Sequence, residues 1–355
     1  MIRWRRGVVS SVGRAWAGAL ELSVSVEGAP VRALAYPAMV GTPVEGDAVL
    51  LNTTALSLGL GTGGYALVIA LPDRLPPDPD VVAGPGHMVK ARYTPGQVTV
   101  LGVDEQDSPH HVVLASDASL DGMPVVVADL HSALPAILAG VGPGPRVVYV
   151  MTDGGALPLW FSRAVATLRD ASLLVGTVTV GQAFGGDLEA VTLHTGLLAA
   201  RHVLSADVAI VAQGPGNLGT GTPWGFSGVA VGEAVNAISV LEGRPIGSLR
   251  ISSGDARERH LGISHHSLTA YGRVALAPAD LVVPSPLPSS LEDRVEEQLA
   301  GLPDRHRLVR VPTHDLDGAL RALPLRLSSM GRPLDEDRIY FESAAAAGRH
   351  AASLV

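Results

Sequence analysis

The stretch "MPVVVADLHSALPAILAGVGPGPRVVYVMTDGGALP", residues 123–158, decides the fold. A continuous apolar run, "MPVVVADL", gives way to a polar turn and then to the helix-compatible "ALPAILAG". A glycine-proline break follows, and a second apolar run, "RVVYVMT", leads into another glycine-containing turn. Strands of an antiparallel sheet with one wet face alternate apolar and polar residues. Runs that are apolar throughout belong to strands covered on both sides, as in a parallel sheet wrapped by crossover helices. The stretch therefore reads as strand, crossover helix, parallel strand.

The same period continues towards the C-terminus in "LLVGTVTV", "ADVAIVAQ", "IGSLRIS", "ADLVVPS" and "HRLVRVP", separated by segments of helical length. This predicts a doubly wound, mainly parallel α/β domain over residues 123–355, closed by a terminal helix in "DEDRIYFESAAAAGRHAASLV". Upstream the pattern differs. Up to about residue 72 short alternating runs ("RGVVSSV", "LELSVSV", "VRALAYP", "GDAVLLN", "GGYALVIAL") are jointed by Gly and Pro, which predicts a small antiparallel β-barrel. The Pro/Asp-rich "PDRLPPDPDVVAGPG", residues 72–86, cannot hold a ladder and is read as a linker. With the hairpin-like "HMVKARYTP" and "QVTVLGVDE", it completes a β-rich domain over 1–122.

Composition removes several function classes. The formal net charge is -8 and no Lys/Arg run interleaves with aromatics, so nucleic-acid binding is disfavoured. No segment is apolar for the roughly 20 residues a membrane span requires, and the start of the chain has no secretory h-region, so a cytoplasmic protein is expected. The absence of cysteine excludes thiolate metal sites and cysteine nucleophiles. Lys90 is the single lysine, which excludes a GKS or GKT phosphate loop. There is no HExxH and no GxSxG. Alanine-rich helices and 17% charged residues are compatible with a homodimer.

In a doubly wound sheet the ligand crevice lies outside the carboxyl ends of the strands. The loops there read "DLHSALP", "TDGGALP", "GQAFGGDLEA", "QGPGNLGTGTPWG" and "SSGDARERHLGISHH". Asp129 and His131, one residue apart, share a face if the strand end is extended, and could form a base with its orienting carboxylate or two metal ligands; a buried, satisfied histidine is the plainer reading. Asp153 could hold magnesium through water, or simply cap a helix. "GPGNLG" formally matches a dinucleotide fingerprint, but the glycines run on and the expected ribose-binding acid is missing. Gly214, Gly216, Gly219, Thr220, Gly221 and Thr222 then make either an anion-binding nest or a glycine-rich connection. The last loop is densest: Arg257 and Arg259 offer two forks for a carboxylate or phosphate. His260 and His265 are candidates for proton transfer, and His260 or His266 with Asp153 or Asp255 for binding a divalent metal such as magnesium, manganese or zinc. Because His265 and His266 are adjacent, only one of them is expected to join His260.

The strings "TDGGALP", "FGGDLEA", "GPGNLGTGT" and "RERHLGISHH", following "GDAVLLNTTALSLGLGTGG", resemble the bacterial family called domain of unknown function 3866 over nearly the whole chain. The family has no assigned activity, so the resemblance implies no catalytic residue. It often has histidine where this chain has Gln182, which argues against an essential role at that position. The residues themselves favour an enzyme acting on a small anionic metabolite in the α/β crevice, clamped by Arg257 and Arg259. The alternatives are a non-catalytic nucleotide- or anion-binding regulatory module and a structural scaffold.

Overall fold

The alternating segments at the start of the chain form five strands: β1 (Trp4–Trp16), β2 (Ala19–Val26), β3 (Ala29–Ala35), β4 (Ala48–Asn52) and β5 (Ala66–Ala70). They close a barrel in the order β1-β2-β3-β5-β4. The expected antiparallel pattern is broken once, where β3 and β5 run parallel with Ala33 opposite Ala66. An odd number of strands in a closed ring cannot alternate direction throughout, so one parallel pair is required. Val24, Ala33, Val49, Leu51 and Ala66 fill the interior with no solvent exposure.

The computed structural model describes residues 1–61, 63–78, 86–116 and 118–355; part of the expected linker, 79–85, lies outside the described residues. A hairpin of β6 (Met88–Lys90) and β7 (Val98–Val100) follows it. The chain divides into Met1–Val100 with Trp160–Ala166, and Leu101–Leu159 with Thr167–Val355. This differs from a boundary at 122. Residues 101–122 join the second unit because Val103 N–H donates to the Glu189 carbonyl and Leu120 N–H to the Leu241 carbonyl, both at 2.7 Å.

The second unit holds β8 (Pro124–Ala128), β9 (Val147–Thr152), β10 (Gly176–Thr179), β11 (Leu188–Glu189), β12 (Val208–Gln213), β13 (Arg244–Ser248), the two-residue strands β14 (Ile251–Ser252) and β15 (Gly262–Ile263), β16 (Asp280–Ser285) and β17 (Arg307–Pro312). Eight of these make one sheet, β11-β10-β9-β12-β8-β13-β16-β17, with every pair parallel. Consecutive residues Val125, Val126 and Val127 point to opposite faces and all have zero exposure, so both faces are covered, as the unbroken apolar runs imply. The helices Leu134–Val141 and Arg338–Ala352 touch through glycines: a Cβ on Gly140 would lie 1.8 Å from the Ala345 carbonyl oxygen, and one on Gly348 2.0 Å from that of Ile137.

The strand order fixes the crevice. From β8 the chain crosses over β12 to reach β9, whereas from β12 it crosses over β8 to reach β13. Connections leaving two adjacent strands in opposite directions part above their carboxyl ends, which is where open α/β sheets bind ligands. Among the described residues no helix is long and apolar enough to cross a membrane.

Candidate active site

The predicted strand "IGSLRIS" does not run straight. After β13 ends at Ser248, the chain turns into a separate ribbon in which Ile251 pairs with Ile263 and Ser252 with Gly262. The ribbon folds the arginine- and histidine-rich loop back on itself. It brings Ser264 N–H to the Arg250 carbonyl (2.8 Å) and Arg250 N–H to Ser267 Oγ (3.0 Å). Ser264 then caps a short helix, His265–Thr269, its Oγ accepting from His266 N–H at 3.2 Å. A 3₁₀ turn at Glu258–His260 returns the third histidine to the same place.

All three imidazoles therefore meet. Ring centroids are 4.9 Å apart for His260 and His265, 5.0 Å for His260 and His266, and 4.4 Å for His265 and His266. One nitrogen from each ring lies within 4.8 Å of the others. The expectation that only one of the adjacent pair would join His260 is corrected: at the first two positions of a helix, neighbouring side chains bracket one point instead of opposing each other across a strand. Phe226 holds the His266 ring by stacking at 3.9 Å and 1°.

Asp129, directly after β8, completes the cluster. Its Oδ2 lies 3.5 Å from His266 Nδ1 and 3.8 Å from Arg250 Nη1, and both Oδ2 and Nδ1 are buried without a hydrogen bond among the described residues. Burial alone would raise the Asp129 carboxyl, but His266, Arg250 and His260 outweigh it and hold the group below the usual carboxylate range. Burial, reinforced by Arg250 and Arg257, lowers His260 to about 3. Burial, with His266 and Arg259 adding to it, lowers His265 to about 4. Both rings are thus neutral near pH 7, with lone pairs available. His260 Nδ1 meets Ser264 Oγ at 2.7 Å, while the buried His265 Nε2 has no hydrogen-bond partner among the described residues.

Behind the histidines the charges cancel. Asp255, 3% exposed, receives Arg257 through Nε (2.9 Å) and Nη2 (2.8 Å), Arg332 at 3.2 Å and Arg250 at 3.4 Å. The Arg257 fork, and the other arginines beside it, keep its carboxyl far below the ordinary range. With its oxygens turned to three guanidiniums, Asp255 is an organising residue rather than a metal ligand. Asp337, fully buried, accepts from Ser252 Oγ (2.6 Å), Ser253 N–H (3.1 Å) and Arg332 Nε (3.0 Å).

The two loop arginines consequently differ. Arg257 is engaged by Asp255, whereas exposed Arg259 has no ion-pair or hydrogen-bond partner among the described residues. Arg259 Nη2 lies 4.0 Å from where a Cβ on Gly221 would stand, so it reaches the glycine-rich loop. In that loop two of the six candidate N–H groups are engaged by backbone carbonyls. Thr220 N–H donates to Gly225 O (2.7 Å), Gly214 N–H to Thr152 O (3.3 Å), and Thr220 and Thr222 hydroxyls lie 3.1 Å apart. Gly216 and Gly221 take positive φ there, and Gly219 bridges Phe226.

His131 does not follow strand alternation, because β8 ends at Ala128 and His131 opens a 3₁₀ turn. Its Nδ1 meets Tyr149 OH at 3.0 Å, and burial lowers it to about 4. Asp153 is exposed and accepts from Gln182 N–H at 2.9 Å, bracing the neighbouring loop rather than capping its own helix. Between the ends of β8 and β12, a cavity of about 20 Å³ is lined by Asp129, Thr152, Gln213, Ser227 and Gly228. That is room for about one water and not for a metabolite. Sequence reasoning missed Arg250, Ser264, Phe226, Arg332 and Asp337. Of these only Arg250, a charge inside an otherwise apolar run, carried a local signal.

A family model described as a protein of unknown function (DUF3866) matches residues 32–348. No curated protein and no solved structure gives a significant match to the chain.

Proposed function

The chain belongs to that family of unknown function, and from that premise we propose that it is an enzyme acting on a small anionic metabolite, a carboxylate or a phosphate ester, in the crevice of its α/β unit. One observation carries this reading: of the four arginines around the histidines, Arg250, Arg257 and Arg332 are neutralised by aspartates, whereas Arg259, beside His265 and the loop at Gly221, has no ion-pair or hydrogen-bond partner among the described residues. An unpaired guanidinium at a crevice favours a planar or tetrahedral anion, to which it offers a two-pronged fork. An anion held there would set its neighbouring atoms over the neutral imidazoles of His265 and His260. These rings can polarise the substrate, or accept a proton once the added negative charge has raised their basicity.

The test is conversion. Phosphorylated and carboxylate metabolites, incubated with the full chain, are followed by phosphorus and proton nuclear magnetic resonance. Turnover of one compound, lost in His265→Ala and strongly reduced in Arg259→Ala, is the expected result. A compound that binds saturably but is recovered unchanged overturns the enzyme reading in favour of a regulatory module.

A further inference from the structure

We propose that His260, His265 and His266 form a three-imidazole site for one divalent transition-metal ion of the zinc class, with Asp129 orienting His266 and one coordination position facing the Arg259 side. The inference goes beyond the proposed reaction and changes one part of it: with an ion bound, His260 and His265 would be its ligands rather than proton acceptors, and the ion would polarise the substrate in their place. Metal binding itself is tested whether or not an anion is turned over.

The nitrogens carry the argument. His260 uses Nδ1 towards Ser264 Oγ at 2.7 Å, and His266 turns Nδ1 towards Asp129 Oδ2 at 3.5 Å. Each ring thereby leaves Nε2 as its remaining donor, and the buried Nε2 of His265 has no hydrogen-bond partner among the described residues. A buried ring nitrogen without a hydrogen bond is unfavourable unless something satisfies it. Bonds of about 2.0–2.1 Å at tetrahedral angles put zinc-bound nitrogens roughly 3.4 Å apart. The present grouping, within 4.8 Å, would have to contract by at most about 1.4 Å to reach that spacing.

The supporting groups are those a metal site requires. Ligating histidines are held through their other nitrogen by a carboxylate, a carbonyl or a comparable acceptor, and Asp129 and Ser264 stand in those places. The separation of His266 Nδ1 and Asp129 Oδ2, slightly long for a hydrogen bond, would shorten as the ring is drawn onto the ion. Charge permits the binding too. Asp129, Asp255 and Asp337 face Arg250, Arg257 and Arg332, so a dication enters a locally balanced site. With Arg259 beside it, the excess positive charge then favours an anion in the open position. Three imidazoles and no thiolate suit Zn²⁺, Co²⁺, Ni²⁺ or Fe²⁺, and not Mg²⁺, which prefers oxygen donors. A bound ion would act as a Lewis acid next to the anion.

The experiment uses the full chain without a histidine tag, stripped by a chelator and titrated with Co²⁺ alone, followed by its visible absorption. Zn²⁺ affinity is measured by competition with a chromophoric chelator. One ion per chain is expected, with Zn²⁺ displacing Co²⁺. His265→Ala, whose ring edge is half-buried, should weaken Zn²⁺ at least 100-fold, and Asp129→Asn by roughly 10- to 100-fold. His265→Gln, which keeps volume and polarity, serves if the alanine variant unfolds. Absence of saturable binding, or Zn²⁺ affinity unchanged in both His265 variants, overturns the proposal.

Discussion

Replacing Arg250 by methionine tests the electrostatic frame of the site most severely. The Arg250 side chain is 2% exposed and stands 3.8 Å from Asp129 and 3.4 Å from Asp255. Asp255 retains Arg257 and Arg332 when Arg250 is removed, so the loss falls on Asp129, which keeps only His266 and His260 near it. Breaking a buried pair by removing one partner is destabilising by about 3–5 kcal/mol. Neither contact to Arg250 is shorter than 3.4 Å, so the lower end, about 3 kcal/mol, is the expected value. For a unit of this size that corresponds to a fall of roughly 6–12 °C in Tm. The assay is urea denaturation of Arg250→Met, Asp129→Asn and the double variant, read by circular dichroism. Because Arg250→Met leaves one carboxylate uncompensated, the double variant should recover at least half of the single variant's loss. A loss below about 1 kcal/mol in Arg250→Met, or additive losses in the double variant, would refute the reasoning.

Other outcomes follow from the same geometry. In metal-free protein His260, His265 and His131 have depressed affinities for protons, so the unfolded chain binds more protons than the native one below the ordinary histidine value. Their contribution is complete above about pH 6.5 and is lost as pH falls towards 4–3, so Tm should decline between pH 7 and 5; a Tm flat over that range contradicts the neutral-histidine assignment. Asp280, lowered by Arg307 and His350 against the opposing effect of burial, contributes above about pH 4 and is lost below it, and Asp280→Asn should remove part of the acid transition. Gly348→Ala should destabilise by at least about 1–3 kcal/mol, since its Cβ would fall 2.0 Å from the Ile137 carbonyl oxygen and the two helices would have to separate. Denaturant midpoints would measure it.

What the sequence disclosed followed the range of the interaction involved. The strands of the large sheet were legible because burial on both faces makes "PVVVA" and "VAIVA" apolar throughout, a purely local constraint. Strand order was not, since nothing in β12 signals that it inserts between β9 and β8. The histidine loop stood out by density, and Asp129 by its place at a strand end. The expectation that His265 and His266 diverge assumed regular structure where the chain changes from ribbon to helix at Ser264. The difference between Arg257 and Arg259 was hidden because it depends on the local turn that folds Arg257 back onto Asp255, two residues away; Arg332 joins the same carboxylate from 77 positions along the chain.

The central claim is that Arg259 is the anion anchor of the crevice and Arg257 part of its frame. Thermal unfolding of wild type, Arg259→Ala and Arg257→Ala, with and without phosphate esters and carboxylates, tests it most directly. A ligand at a hundredfold its Kd should stabilise wild type by about 2.7 kcal/mol, several degrees at this size. The same shift should persist in Arg257→Ala from a lower starting Tm and vanish in Arg259→Ala. An anion that stabilises wild type and Arg259→Ala equally, or a panel that stabilises neither, contradicts the claim.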